Sequence, residues 1–160
     1  MLRNAHNMRR LLKPGVKLCG VIKGNGFGHG LVPAARALVA GGTEWLAVDS
    51  LEEALSLRAA NISVPLIVLY WTHPWQAPRM ARERIQPSVW DEAWVTAAGA
   101  ALSLSSSPDP LQIHLVIDTG LGREGCLPNA AAMLARSVVG AAAAGGADMR
   151  VAGVSTHFVS

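Results

Sequence analysis

Charge is scarce in this sequence: only 16% of its 160 residues are Asp, Glu, Lys or Arg, against roughly 25% in an average soluble domain. Yet 51% are hydrophobic, which excludes disorder and points to a heavily buried architecture. Aromatic residues are also few, with one Tyr and two Phe. That leaves little support for a nucleic-acid reader, which needs basic residues interleaved with stacking aromatics. The net charge is a mild +3, and its basic cluster of Arg3, Arg9, Arg10, Lys13 and Lys17 near the start reads as a solvated helix face. Cysteine appears only as Cys19 and Cys126, without CxxC or Cys/His spacing, so a disulfide framework and a structural zinc site lack support. Free thiols in a reducing cytoplasm fit better. No apolar run reaches the ~18 to 20 residues needed to span a bilayer, and the opening Met1–Gly15 shows no apolar h-region or cleavage site. The expectation is a cytoplasmic protein with no membrane and no nucleic-acid partner.

What is present is a rhythm. Short apolar runs alternate with alanine- and leucine-rich stretches along nearly the whole chain, the pattern of an α/β protein. Strands are expected at Lys17–Lys23, Glu44–Val48, Pro65–Trp71, Arg84–Val89, Gln112–Asp118 and Val151–His157. Most are apolar on both faces, as in a parallel sheet covered by helices. Helices are expected at Leu31–Ala40, Leu51–Ala60, Trp75–Arg82, Asp91–Leu102 and Pro128–Ala144. Ser50 stands ready to cap the second of these, ahead of Glu52 and Glu53. Gly41 and Gly42 stop the first helix, Ser105–Pro110 forms a polar loop, and the low-complexity run 140–147 is a frayed helix end. The five tryptophans, Trp45, Trp71, Trp75, Trp90 and Trp94, read as packing between strands and helices.

Six such units admit an open doubly wound sheet or part of a (β/α)8 barrel. The loop after the first strand, Gly24-Asn-Gly26-Phe-Gly28-His-Gly30, matches neither the dinucleotide G-x-G-x-x-G nor a Walker loop. Lys23 closes an apolar strand and opens into this loop. Burial there is expected to disfavour its ammonium and lower its pKa, as suits a nucleophile or base. A lysine that snorkels to solvent is the alternative. Alternating glycines permit close approach of something bulky and expose amides to an anion. Arg123 follows the fifth strand in Asp118-Thr-Gly-Leu-Gly-Arg-Glu-Gly125 and can present a fixed fork to an oxyanion, or simply pair with Glu124. Asp118 reads as the anchor of that turn. His157 ends the last strand. Lys23, Arg123 and His157 all stand at or just past the carboxyl end of a strand, the end where active sites of parallel α/β folds are built. His29 belongs to the glycine loop, while His73 and His114 have no partner at ligand spacing, and no metal is expected.

Three segments resemble a known family. Val21-Ile-Lys-Gly-Asn-Gly-Phe-Gly-His-Gly30 is similar to the cofactor-lysine signature V-V-K-A-N-A-Y-G-H-G of bacterial alanine racemases. Ile117-Asp-Thr-Gly-Leu-Gly-Arg-Glu-Gly125 resembles that family's V-D-T-G-M-G-R-x-G, and Gly153-Val-Ser-Thr-His-Phe158 its G-x-x-T-H-F. Trp45–Val48 followed by Leu51–Ala54 also falls in the expected place. The resemblance covers essentially the whole chain and implies a fold-type III enzyme that uses pyridoxal 5'-phosphate, with an N-terminal (β/α)8 barrel.

The resemblance further implies roles. Lys23 would hold the cofactor covalently and serve as one of two bases that move the α-proton. Arg123 would bond the cofactor's phenolic oxygen, and His157 would support the pyridine ring's surroundings and the opposite-face base. Phe27 stands where the family has a tyrosine that helps hold the cofactor phosphate, and Val116 where many members carry a carbamylated lysine. The implied substrate is a small amino acid, above all alanine, with D-alanine going to peptidoglycan and a homodimer as the complete assembly. A whole barrel takes ~250 residues, so residues 1–160 are expected to be a partial barrel domain, about six βα units, without the family's C-terminal β-domain. Such a piece is expected to be inactive alone and prone to aggregate. A non-catalytic pyridoxal-phosphate carrier of the same fold and an inactive truncated reading frame are the competing readings.

Overall fold

The computed structural model describes residues 1–105, 109–143 and 148–158. The chain divides into two compact units, Met1–Tyr70 and Trp71–Ser160. In the first unit, α1 (Leu2–Leu11) precedes β1 (Cys19–Val21), α2 (Lys23–Phe27), α3 (Leu31–Ala40), β2 (Trp45–Val48), α4 (Leu51–Ala59) and β3 (Leu66–Val68). The strands are parallel and run β1-β2-β3, with Val21 beside Ala47 and Ala47 beside Ile67. Leu46, Val48, Leu66 and Val68 are wholly buried, because a strand between two parallel neighbours needs apolar cover. Helix α4 supplies some of that cover through Leu51, Ala54 and Leu57, one stripe at helical spacing. The predicted cap is present: Ser50 Oγ accepts from Glu53 N at 3.2 Å, a contact worth about 1 kcal/mol.

The second unit contains a 3-10 turn (Pro74–Gln76), then α5 (Ala77–Arg82), β4 (Ile85–Val89), α6 (Glu92–Ser103), β5 (Leu111–Val116), α7 (Ala131–Ala143) and β6 (Met149–Ser155). Its strands are again parallel, in the order β4-β5-β6. Strand β5 turns Leu111, Ile113 and Leu115 into the core, where α6 brings Trp94, Val95, Ala98 and Leu102 and α7 brings Leu134 and Val138. The other face of β5 carries a polar network. Gln86 Nε2 donates to Gln112 Oε1 at 3.0 Å, and Gln86 Oε1 lies 2.6 Å from His114 Nε2. With Gln86 oriented this way, its oxygen must accept, so His114 carries its proton on Nε2. Burial holds His114 below the usual histidine pKa by disfavouring its charged form. Opposite it, a Cβ on Gly153 would sit 2.6 Å from His114 Nδ1, and the β5–β6 register shifts at this point.

The α/β reading with six parallel strands holds, and each predicted strand and helix has a counterpart. The first five strands are shorter than the apolar runs that announced them, because a ladder ends where the neighbour's ladder ends, whereas hydrophobicity continues into the loops; β6 keeps the expected length but begins two residues earlier, at Met149. The helix expected at Trp75–Arg82 begins as a 3-10 turn, and that expected from Pro128 begins at Ala131. Parts of the expected 105–110 loop and 140–147 run, and Ala144 at the end of the expected last helix, lie outside the described residues. Two readings are corrected. The basic stretch read as a solvated helix face is helix α1 only as far as Leu11, with Arg3 and Arg10 exposed and Ala5 seated against Gly41, where an added Cβ would meet Ala5 Cβ at 2.7 Å; Lys13 and Lys17 lie past its end. Trp71 and Trp75 are not core residues; they are exposed and flank His73 in an aromatic row. Trp94 does pack inside, donating its Nε1–H to Thr72 O at 2.7 Å. Among the described residues, no helix is long and apolar enough to cross a membrane.

Candidate functional site

Parallel register places the chemistry of the first unit. Lys23 lies two residues past Val21 and Asp49 two past Ala47, and those two strand residues are register partners. Tyr70 lies two past Val68, which pairs with Val48. All three therefore leave the carboxyl ends of adjacent strands. Lys23 Nζ donates to Tyr70 Oη at 2.7 Å, lies 4.4 Å from the centre of the Tyr70 ring, and sits 3.4 Å from Asp49 Oδ1. That Asp49 oxygen is buried and has no hydrogen-bond partner of its own, so the lysine charge is what compensates it.

The expected depression of the Lys23 pKa is overturned. The Tyr70 hydrogen bond stabilises the ammonium most, burial opposes it, and the Asp49 charge adds to the rise; the outcome is a pKa above the ordinary lysine value. An apolar strand predicts the desolvation alone. The two partners that outweigh it stand on other strands.

The segment after Lys23 is not a loose loop. Gly24, Asn25, Gly26 and Phe27 all have φ between 52° and 64°, a left-handed turn. Each L-residue in that conformation costs roughly 1–2 kcal/mol, so glycine at two of the four positions keeps the strain bearable. Asn25 pins the turn: its N–H donates to Glu53 Oε1 at 2.7 Å and its Oδ1 accepts from Leu31 N at 2.9 Å. Glu53 also accepts from Asp49 N at 3.1 Å, which ties the turn to the strand end that carries Asp49. Phe27, at the end of the turn, is exposed. A Cβ on Gly24 or Gly28 would meet nothing within 4 Å, so there is open space beside the lysine for a bulky group. A lysine amine at a strand's carboxyl end, next to a turn open at Gly24, is the chemistry an aldehyde cofactor such as pyridoxal phosphate requires.

In the second unit, Asp118 anchors the turn after β5 as its residue type predicts. Its carboxylate accepts from Gly120 N at 2.9 Å and from Gly122 N at 3.1 Å. These amides, Gly120 first, hold the Asp118 carboxyl below the usual aspartate pKa. A carboxyl with a depressed folded pKa stabilises the fold above its unfolded value and loses that contribution as pH falls through the folded value. On acidification below the ordinary aspartate range, the turn should therefore loosen while the rest of the unit stays folded. The check is amide hydrogen exchange at Gly120 and Gly122 across a pH series; protection that stays level once corrected for the intrinsic exchange rate would contradict this.

Arg123 is exposed at the tip of that turn, with Nε donating to Glu124 Oε2 at 2.9 Å. His157 is exposed just past β6. Thr119 Oγ1 and Thr156 Oγ1 lie 2.7 Å apart, so the structure links the segments that carry Arg123 and His157. Lys23 belongs to the first unit together with Asp49 and Tyr70, two residues that sequence reasoning missed. The strand-end rule that found Lys23 would also have found Asp49, just past the expected strand Glu44–Val48, but not Tyr70, which lies inside the expected strand Pro65–Trp71. Among the described residues, no group of three or more His, Cys, Asp or Glu side chains is arranged to hold a metal ion.

The family profile "Alanine racemase, N-terminal domain" matches residues 1–160. An alanine racemase of Levilactobacillus brevis is 39% identical over 149 residues, which cover 93% of this chain and 39% of that protein. One of Desulfovibrio desulfuricans is 37% identical over 158 residues, covering 97% of this chain and 41% of the relative. The chain thus spans about two fifths of the length of these relatives. The solved alanine racemase of Bacillus anthracis with bound L-Ala-P superposes with a TM-score of 0.86 at 28% identity, over 99% of this chain and 39% of that one. That of the D-cycloserine producer Streptomyces lavendulae gives 0.81 at 36% identity, over 98% and 40%. The six parallel strands with their helices match the N-terminal barrel domain of these structures, and the chain belongs to the alanine racemase N-terminal domain family.

Proposed function

We propose that this chain is the lysine-bearing part of a pyridoxal-phosphate-dependent amino-acid racemase acting on alanine. The observation that carries the reading is Lys23 itself: an amine at a strand's carboxyl end, immediately ahead of a left-handed turn that is open at Gly24 and Gly28. When bound, pyridoxal phosphate supplies an electron sink that acidifies the α-hydrogen of an attached amino acid. The chain's own contribution is at Nζ. Lys23 would hold the cofactor, and its nitrogen would serve one face of the α-carbon, taking the proton there in one direction of the reaction and delivering it there in the other, with a second base on the opposite face. Asp49 and Tyr70 fix where that nitrogen stands before it reacts.

Arg123, His157 and Phe27 are proposed as cofactor-binding residues on their places in the family motifs, with His157 also serving catalysis. Phe27 can offer only its ring, since it has no hydroxyl for a phosphate. Supply of D-alanine to peptidoglycan, a cytoplasmic location and a homodimeric assembly belong to the same proposal. The test is absorbance and turnover together. Pyridoxal phosphate added to the chain should give a visible band above that of the free cofactor, and Lys23→Ala should remove it. A band of equal intensity in Lys23→Ala would refute the role given to Lys23. With that role established, L- to D-alanine conversion is to be followed by chiral chromatography in a protein that carries this chain in place of the matching two fifths of an alanine racemase. Cofactor binding without conversion of any amino acid would refute the racemase reading.

A further inference from the structure

Lys23 cannot attack a carbonyl as it stands, because three contacts favour its charged form. Nζ donates to Tyr70 Oη at 2.7 Å, lies 4.4 Å from the centre of the same ring, and faces the buried Asp49 Oδ1 at 3.4 Å. A hydroxyl oxygen that accepts from an ammonium and a π-face beneath it both stabilise the cation. Asp49 makes the arrangement two-sided: its Oδ1 has no hydrogen bond, so neutralising the lysine leaves a buried carboxylate oxygen uncompensated. The other charged group at this corner is Glu53 of α4, but its carboxylate is committed to the N–H groups of Asn25 and Asp49. The elements packed against Lys23 thus contribute Asp49 after β2, Tyr70 after β3 and Glu53 on α4, and among the described residues no second cation pairs with Asp49.

We propose that Asp49 and Tyr70 are positioning residues that clamp Lys23 as an ammonium and set the pH at which it captures an aldehyde. This rests on the reading of Lys23 as the aldehyde-capturing residue. The capture balances without an oxidant. The ammonium first yields a proton, which the Asp49 carboxylate, 3.4 Å from Nζ, can take and pass on to the carbonyl oxygen. The freed lone pair forms the C–N bond, and the carbonyl oxygen leaves as water, carrying two of the three original N–H hydrogens in total; the third remains on nitrogen. The clamp therefore lowers reactivity toward stray aldehydes near neutral pH, and it holds the nitrogen at one place until it reacts. Tyr70 and Asp49 need not touch the cofactor to act this way.

The chain contains an internal control, because its other two lysines, Lys13 and Lys17, are exposed. The 160-residue chain and its Tyr70→Phe and Asp49→Asn variants would be incubated with pyridoxal 5'-phosphate from about pH 6 to about pH 10, the range leading up to lysine titration. Borohydride would reduce the adducts, and peptide mass spectrometry would read the label at each lysine, with circular dichroism confirming an unchanged fold. Tyr70→Phe keeps the ring and removes only the hydroxyl. It should move the Lys23 labelling profile about one pH unit lower, an approximately tenfold gain in initial labelling rate at fixed pH on the rising limb. Asp49→Asn should move it in the same direction, while Lys13 and Lys17 keep their profiles. A Lys23 profile that stays in place in both variants overturns the clamp and leaves the lysine reading intact. Label on Lys13 and Lys17 but never on Lys23, in any variant, overturns the lysine reading and the clamp with it.

Discussion

Gly125→Ala is expected to cost about 3 kcal/mol or more, the sum of backbone strain and an unrelieved clash. Gly125 has φ +128°, a conformation nearly closed to residues with a Cβ. An added Cβ would also press on Asp118 N and lie 2.8 Å from the carbonyl carbon of Ile117. Both are backbone atoms, so no side chain can swing aside. They belong to the crossing where Asp118 N donates to Cys126 O and Cys126 N donates to Val116 O, each at 2.9 Å. Moving this crossing disturbs the Asp118 carboxylate that gathers the Gly120 and Gly122 amides, and hence the turn that presents Arg123. Against a total stability of roughly 5–15 kcal/mol for a domain, the loss should show as a clear fall in the urea midpoint. A midpoint within error of the parent would mean the backbone relaxes there at little cost. Gly120→Ala is the comparison, since its Cβ would meet nothing within 4 Å and the penalty reduces to strain.

Residue type and local spacing made part of this legible. Asp118 reads as a turn anchor because a short carboxylate ahead of alternating glycines has amides to collect, and it collects them. Ser50 reads as a cap for a similar local reason. Lys23, Arg123 and His157 stand out because each stands at or just past the carboxyl end of an apolar run. What stayed hidden depends on partners distant in sequence. Tyr70 is 47 residues from Lys23, and it sits inside a run whose hydrophobicity continues to Trp71, so it reads as strand rather than as a residue past the strand's end. Asp49 reads as part of the loop leading to Ser50. Without these two, the burial of Lys23 is the only visible influence on its charge, and the predicted direction is wrong.

The polar network of β4 and β5 was hidden in the same way, since Gln86 and His114 are 28 residues apart. The left-handed turn is an intermediate case. Alternating glycines announce positive φ, but the same conformation at Asn25 and Phe27 follows only from the contacts that hold Asn25 to Glu53 and Leu31.

Leu46→Ala should cost about 2–5 kcal/mol, the range for removing a large aliphatic side chain from a core that collapses only in part. Leu46 is 0% exposed, in the strand flanked on both sides, with Gly20 and Leu66 as its register partners. Gly20 has no side chain to move into the space, and its hypothetical Cβ would already lie 3.3 Å from Leu46 Cδ2. Strand β2 also runs directly into Asp49. If its packing loosens, the Asp49 carboxylate should lose its fixed place 3.4 Å from Lys23 Nζ. Two readouts are therefore expected to move together: a lower thermal midpoint, and a Lys23 aldehyde-labelling profile displaced toward that of Lys13 and Lys17. A lower midpoint with the Lys23 profile unchanged under native conditions would show that the strand ends hold their geometry independently of the core beneath them. Ile22→Val is the milder companion, at about 0.5–1.5 kcal/mol. It trims a residue only 1% exposed immediately before the lysine and leaves β2 intact, which separates loss of burial from loss of the strand that positions Asp49.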